Sequence, residues 1–217
     1  MSSSHANLIK LMTWLSPAFP IGGFAWSAGL EAACADKTIT NAEDIKEWLS
    51  LSLHHGTLRT DAVLLSLARQ RPEELETINA TALALAGSRT RYEETTALGS
   101  AFMRAAEPWT HAVDHRPKTI AYPVAVGHVA ANHAIDQTAT LTAFLQSAVS
   151  AQLQAGLRLF SFGQAAAVGL QQALEADIVQ AAKVATDSTL DHLGTAAPLM
   201  DITAIAQETL PTRLFQS

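Results

Sequence analysis

Histidine pairs are the first features of this sequence whose spacing could support chemistry. His111 and His115 would share one face of a helix, at the i and i+4 spacing that lets two imidazoles bind one metal ion. Pro108 and Pro117 flank the pair and leave room for only one or two helical turns, and no third ligand stands in register. We therefore expect solvated loop histidines here and predict no metal site on this chain.

Two further histidine pairs have spacings that do not suit chelation. His54 and His55 are adjacent, so on a helix they point about 100° apart. Imidazoles interact favourably with a helix C-terminus, and we expect this pair to end a helix. His128 and His133 differ by five positions, and we expect them to be satisfied structural residues.

No catalytic motif is recognisable in the chain. The sequence has neither the glycine-rich lysine motif that holds nucleotide phosphates nor the Gly-x-Ser-x-Gly turn of serine hydrolases. The adjacent carboxylates Glu73 and Glu74 follow Pro72, a pattern typical of a helix start. We therefore predict no catalytic residues and a protein that is not an enzyme.

Composition argues against several classes of protein. The 217 residues include 14 Lys and Arg against 20 Asp and Glu, and a net charge of −6 argues against nucleic-acid binding. The apolar stretches are interrupted well short of the ~20 residues that a membrane-spanning helix needs. A single cysteine, Cys34, fits a cytoplasmic protein. Only 16% of residues are charged, which favours a surface partly buried in an oligomer or a complex, although an alanine-rich exterior would give the same count without a partner.

Apolar residues recur at helical spacing along the chain, which predicts an all-α fold: one globular multi-helix domain over residues 1–217, with no sheet. The longest apolar stripe runs through residues 141–160. Arg158 lies on the opposite side of that helix, where its guanidinium should face outward. Thr90 and Glu93 have the spacing of a capping box, which predicts a helix start at Thr90.

Residues 16–31 differ from the rest because they combine prolines, paired glycines and large aromatic side chains. Prolines fix the backbone and glycines permit conformations closed to other residues, so we expect a rigid turn between two helices. Ser27 can cap the following helix, and Glu31 would lie near its positive end. From residue physics alone, three aromatic side chains of this turn pack into the core: Phe19, Phe24 and Trp26.

This turn resembles the N-terminal signature of the urease accessory protein UreF family. The matching residues are Ser16, Pro17, Pro20, Gly22, Phe24, Ser27 and Gly29. Two helical patterns of the family are also similar, one matched by Arg91 and Gly99 and the other by Pro123 and Gly127. Both glycines should allow close packing of a neighbouring helix.

Two later segments resemble the same family. Residues 156–164 are similar to a segment associated with assembly, through Arg158, Gly163 and Gln164, with Ser161 where proline is usual. Arg213-Leu214-Phe215-Gln216-Ser217 resembles the family's C-terminal tail, which we place at residues 207–217.

The resemblance implies an all-helical, usually dimeric protein that is not itself an enzyme. Members of the family join UreD, also called UreH, and the GTPase UreG on apo-urease, and so help to load nickel. Nickel would be handled by the assembled complex, so no cofactor is expected on this chain. The implied partner-binding residues are Glu31, Arg91, Arg158, Gly163, Gln164, Arg213, Leu214, Phe215 and Ser217.

Several alternatives stay open from the sequence. Arg91 either contacts a partner or pairs with Glu94. Arg158 either accelerates GTP hydrolysis, as an arginine finger would, or only docks the GTPase. We expect the tail to bury Leu214 and Phe215 in a partner, worth ~1.5–3 kcal/mol each if complete, with packing on its own domain as the alternative. The competing hypothesis is a free-standing helical domain that binds a small ligand or has a regulatory role.

Overall fold

The computed structural model describes residues 3–110, 117–160 and 162–216, and these ranges contain helices and turns without a strand. The helices are α1 (Ser3–Trp14), α2 (Leu30–Ala35), α3 (Ala42–His55), α4 (Thr57–Gln70), α5 (Leu75–Ala84), α6 (Arg89–Ala105), α7 (Tyr122–Asn132), α8 (Gln137–Leu159), α9 (Gln164–Ala173), α10 (Glu175–Thr186) and α11 (Pro198–Ala206). The all-α prediction is confirmed. In the same ranges, no helix has the length and apolar character needed to cross a bilayer.

Helix α4 lies at the centre of the bundle. It packs against α3, α5, α7, α8 and α10. All side chains of residues 62–68 are buried, so this helix is covered around its whole circumference. A helix that is apolar on every side is stable only in the interior, which explains why the run from Ala62 to Ala68 sits there.

Two glycines let helix α7 come very close to its neighbours. A Cβ atom on Gly99 of α6 would lie closer than 3.0 Å to the carbonyl oxygen of Ile120, just before α7. One on Gly127 would lie equally close to the carbonyl oxygen of Leu65 in α4. This is the close packing that the sequence predicts at both positions. Pro123 stands in the first turn of α7, as predicted.

Helix α6 begins earlier than the capping-box pattern predicts. Ser88 is its N-cap, and the Ser88 Oγ accepts a hydrogen bond from the Arg91 amide at 3.1 Å. The predicted cap, Thr90, instead donates its hydroxyl to the carbonyl oxygen of Ala204 in α11 at 3.3 Å. The prediction was wrong because a tertiary contact uses the Thr90 side chain.

Residues 16–31 form the predicted turn between α1 and α2, but not all of its aromatic side chains are buried. Phe19 packs against Phe102 and Trp109, with ring centroids 5.7 and 6.4 Å away. Phe24 is 59% exposed, so its predicted burial is wrong, and Trp26 is half-buried. The aromatic cluster of the core forms around Phe19 without Phe24, which stays at the surface because the turn directs its side chain away from this cluster.

Candidate functional site

The C-terminal tail folds back onto the start of α2 around one buried carboxylate, Glu31, which is 6% exposed. Its Oε1 accepts a hydrogen bond from the backbone amide of Leu214 at 2.6 Å. Its Oε2 accepts from the amide of Phe215 at 3.2 Å and from the side-chain amide of Gln207 at 3.0 Å. Three donors replace the water lost on burial, and the helix N-terminus favours the negative charge.

Other contacts complete the docking of the tail. The buried Gln207 side chain accepts a hydrogen bond from the Ala32 amide at 2.8 Å, and the Gln216 amide donates to the Ala25 carbonyl at 2.7 Å. Phe215 is 4% exposed, whereas Leu214 is 62% exposed. The expectation that Phe215 awaits burial in a partner is therefore wrong, because backbone and ring both find partners on the chain's own domain. Leu214 keeps its predicted exposure.

Arg158, near the end of α8, connects the tail to the turn. Its Nη1 donates to the carbonyl oxygen of Phe24 at 2.6 Å, and its guanidinium lies 4.1 Å from the centroid of the Phe215 ring. A cation over an aromatic ring at an exposed site contributes ~0.5–1 kcal/mol. Arg158 is exposed, as predicted, but its guanidinium is held against two segments rather than free in solvent. We call Phe24, Arg158, Leu214 and Phe215 the tail–turn junction.

A second polar cluster lies between α4 and α6. Asp61 accepts two hydrogen bonds from Nη2 of Arg91, at 2.7 and 2.6 Å. Glu94 accepts one from Nη1 of the same guanidinium at 3.0 Å. We call Asp61, Arg91 and Glu94 the charge cluster. Its two carboxylates and one guanidinium leave one formal negative charge in excess.

Burial controls the protonation of the charge cluster. Removal from water raises the pKa of Asp61 and of Glu94, although the nearby Arg91 acts in the opposite direction. Burial also acts to lower the pKa of Arg91, but the two carboxylates together raise it above its ordinary value. The guanidinium therefore stays charged, and a proton that the cluster takes up as the pH falls binds to a carboxyl group.

Substitution of Glu94 by glutamine should make the stability of the fold less dependent on pH. The native pKa of Glu94 lies above its ordinary value of 4.5, so the native state keeps a proton that the unfolded chain releases near that pH. The stability from this group is fully present below that pH and is lost as the pH rises through the native pKa. Denaturant unfolding from acid to neutral pH should therefore show the wild type losing stability relative to Glu94→Gln.

The exposed neighbour Glu93 supplies a matched control for this titration. The variant Glu93→Gln removes an acid from the same helix without touching the charge cluster, so it should follow the wild type. If the wild type instead gained stability relative to Glu94→Gln as the pH rises, the native pKa of Glu94 would not be raised.

Comparison with known proteins identifies the family. A family model described as UreF matches residues 39–175. The chain belongs to the UreF family. Proteins called urease accessory protein UreF are similar over nearly the whole chain. One from Agrobacterium fabrum strain C58 is 46% identical over 99% of this chain and 98% of its own length. One from Rhizobium etli strain CIAT 652 is 47% identical over 97% of this chain and 96% of its own length. One from Rhizobium meliloti strain 1021 is 41% identical over 99% of this chain and 100% of its own length.

In this UreF-family chain the predicted partner-binding residues do not share one surface. Arg213, Gly163 and Gln164 are exposed, the last two at the start of α9. Glu31 is buried, and its predicted place on an exposed surface is wrong because amide groups of the chain itself bind its carboxylate. Arg91 is largely buried as well. Arg91 pairs with Glu94, one of the two alternatives left open, and also with Asp61. Ser217 and Ser161 lie outside the described residues.

Two residues of these sites were missed by sequence reasoning: Gln207 beside Glu31 and Asp61 beside Arg91. Asp61 directly precedes a run of apolar residues on α4, and a charge in such a helix needs a buried partner. That signal could have found it. Nothing local to Gln207 indicates its contact with Glu31, which is 176 residues away along the chain.

Metal-binding side chains do not converge in the described part of this UreF-family fold. His54 and His55 end α3 as predicted, and His54 Nε2 lies 3.3 Å from Asp177 of α10. His133 Nε2 lies 2.7 Å from the Trp109 carbonyl. Within 3–110, 117–160 and 162–216, no three His, Cys, Asp or Glu side chains are grouped to hold a metal ion. His111 and His115 lie outside these ranges, so the lack of a metal site stays a prediction.

Proposed function

We propose that this protein is a urease accessory protein that acts in urease maturation and catalyses no reaction itself. In this proposal it binds a UreD/UreH-like subunit through its tail and neighbouring helices, and a UreG-like GTPase through the surface around Arg158. The assembly forms on apo-urease and couples the nucleotide state of the GTPase to nickel delivery. Family membership over nearly the full chain and the names of the relatives support the role in maturation.

The observation that carries the partner assignment is the composition of the tail–turn junction. Phe24 and Leu214 are 59% and 62% exposed, and Arg158, which contacts Phe24 and Phe215, is exposed as well. Exposed aromatic and arginine side chains in one place are typical of a protein–protein interface, and the exposed Leu214 adds apolar surface there. Such a surface supports docking of another protein.

Helix α11 supports a partner that reaches beyond the junction. Leu199, Ile202 and Ile205 follow one another at a spacing of three on one side of this helix, and each is more than half exposed. The tail follows α11 directly and begins with the short 3₁₀ turn Gln207–Thr209. A UreD/UreH-like subunit that bound the tail could cover this apolar strip as well.

In this proposal the protein also forms a homodimer and acts in the cytoplasm. Leu8, Ile9 and Met12 of α1 are exposed apolar residues, and they support a homodimer. Nickel is cargo of the assembled complex and not a cofactor of this chain. We place the protein in the cytoplasm, with neither nucleic acid nor membrane among its partners.

Arg158→Ala tests the assignment in cells that co-express the tagged protein with urease and its UreD/UreH-like and UreG-like partners. We expect capture of the UreG-like GTPase and nickel-dependent urease activity to fall by ~30-fold, the effect of losing an interface side chain worth ~2 kcal/mol. Capture of the UreD/UreH-like subunit should persist. If GTPase capture and urease activation both match the wild type, Arg158 has no role in assembly.

Two further variants complete the design. Arg104→Ala removes an exposed arginine near the end of α6 and should leave capture of both partners and urease activity unchanged. Leu214→Ser alters an exposed tail side chain without opening the core, and it should weaken capture of the UreD/UreH-like subunit at an unchanged melting temperature. An arginine-finger role requires that Arg158→Ala also slow GTP hydrolysis by ~10³-fold when the GTPase is saturating, whereas docking alone does not.

A further inference from the structure

A small cavity lies against the charge cluster on the side that faces α8. Its volume is about 100 Å³. Its walls combine oxygen-bearing side chains with aromatic ones: Asp61, Glu94, Gln152, Trp26, Tyr122 and Phe144. None of these features is explained by the tail–turn junction or by assembly with other proteins.

Gln152 of α8 gives the cavity an unused hydrogen-bond acceptor. The residue is 7% exposed, and its Oε1 accepts no hydrogen bond from any part of the chain that the structure describes. A buried acceptor without a donor is unfavourable, so a ligand that brings an N–H group gains free energy here.

Glu94 gives the cavity an excess of negative charge. Arg91 donates to Oε2 of this carboxylate at 3.0 Å, and the carboxylate of Asp61 lines the same cavity. The guanidinium also balances only one of the two carboxylates in the charge cluster. The wall of the cavity is therefore complementary to one positive charge.

Aromatic side chains form the apolar part of the wall. Tyr122 and Phe144 lie with ring centroids 5.5 Å apart, and Trp26 lines the cavity with them. Aromatic rings attract cations, and combinations of rings with oxygen acceptors recognise substituted ammonium groups.

We propose that this cavity binds a small organic cation of the ammonium class, of which methylammonium is the simplest probe. Its N–H groups donate to Gln152 and Glu94, its charge offsets the excess carboxylate, and its methyl group packs among the aromatic side chains. A divalent metal ion fits less well, because Arg91 already occupies both carboxylate oxygens of Asp61 and brings its own positive charge to the wall.

The proposal is tested on the full chain with methylammonium chloride, against sodium chloride at equal concentration. We expect methylammonium to raise the melting temperature saturably and to give a binding isotherm by calorimetry, and sodium to do neither. Gln152→Leu and Glu94→Gln should each weaken methylammonium binding by about tenfold or more, since the first removes a hydrogen-bond acceptor and the second removes the negative charge of the carboxylate. Gln154→Leu, on the exposed side of the same helix, should bind as the wild type does.

Two outcomes would overturn the proposal: an equal response to sodium, or unchanged methylammonium binding by Gln152→Leu. Glu94→Gln changes a buried ion pair, so its helix content is checked by circular dichroism first. If that variant does not fold, the comparison of Gln152→Leu with Gln154→Leu still decides the question, because neither residue carries a charge.

Discussion

Replacing Arg91 with alanine should destabilise the fold by ~3–5 kcal/mol, the cost of leaving buried charges without their partner. The guanidinium supplies three hydrogen bonds, two to Asp61 and one to Glu94. Without it, two carboxylates that repel each other stay between α4 and α6. Denaturant unfolding followed by circular dichroism measures the loss as a lower midpoint with an unchanged denaturant dependence.

Arg104 provides the control for this prediction. It is an exposed arginine near the end of the same helix, so Arg104→Ala should change the free energy of unfolding by less than ~0.5 kcal/mol. Replacing the whole charge cluster with apolar residues should recover much of the loss, since the cost arises from the unpaired carboxylates. An Arg91→Ala variant as stable as Arg104→Ala would show that water reaches the cluster.

Replacing Gly99 with alanine should destabilise the fold by ~3 kcal/mol, at the upper end of the range for overpacked cores. The added methyl group would collide with the carbonyl oxygen of Ile120, and a backbone atom cannot rotate away as a side chain can. The helix α6 would have to shift away from the start of α7, disturbing the packing of Phe102 with Tyr122. Thermal and denaturant unfolding both measure the effect.

Gly169 of α9 gives the opposite expectation for the same chemical change. A Cβ atom there meets no other atom within 4 Å, so Gly169→Ala should stabilise the protein by ~0.5–1 kcal/mol through the higher helix propensity of alanine. If the two variants shift stability in the same direction, the close approach at Gly99 does not govern packing.

The sequence by itself determined the fold class and much of its local structure. Helical periodicity predicts the all-α bundle because apolar residues spaced three and four apart lie on one face of a helix, and that face is buried against other helices. The turn at residues 16–31, the proline at the start of α7 and the glycines at close contacts were also predictable, since proline and glycine act through their own backbone geometry. The resemblance of separate segments to UreF further indicated the family.

Only the tertiary structure decided which charged and polar groups meet. Glu31 binds amides 183 and 184 positions further along the chain, and Asp61 pairs with an arginine on another helix. No periodicity connects such positions, because the contact depends on how whole helices pack and on which side chain lies opposite. The tail followed the same rule. From the sequence alone, the tail could pack on any apolar surface. It packs at the start of α2 because the buried carboxylate there needs hydrogen-bond donors, and the tail supplies them.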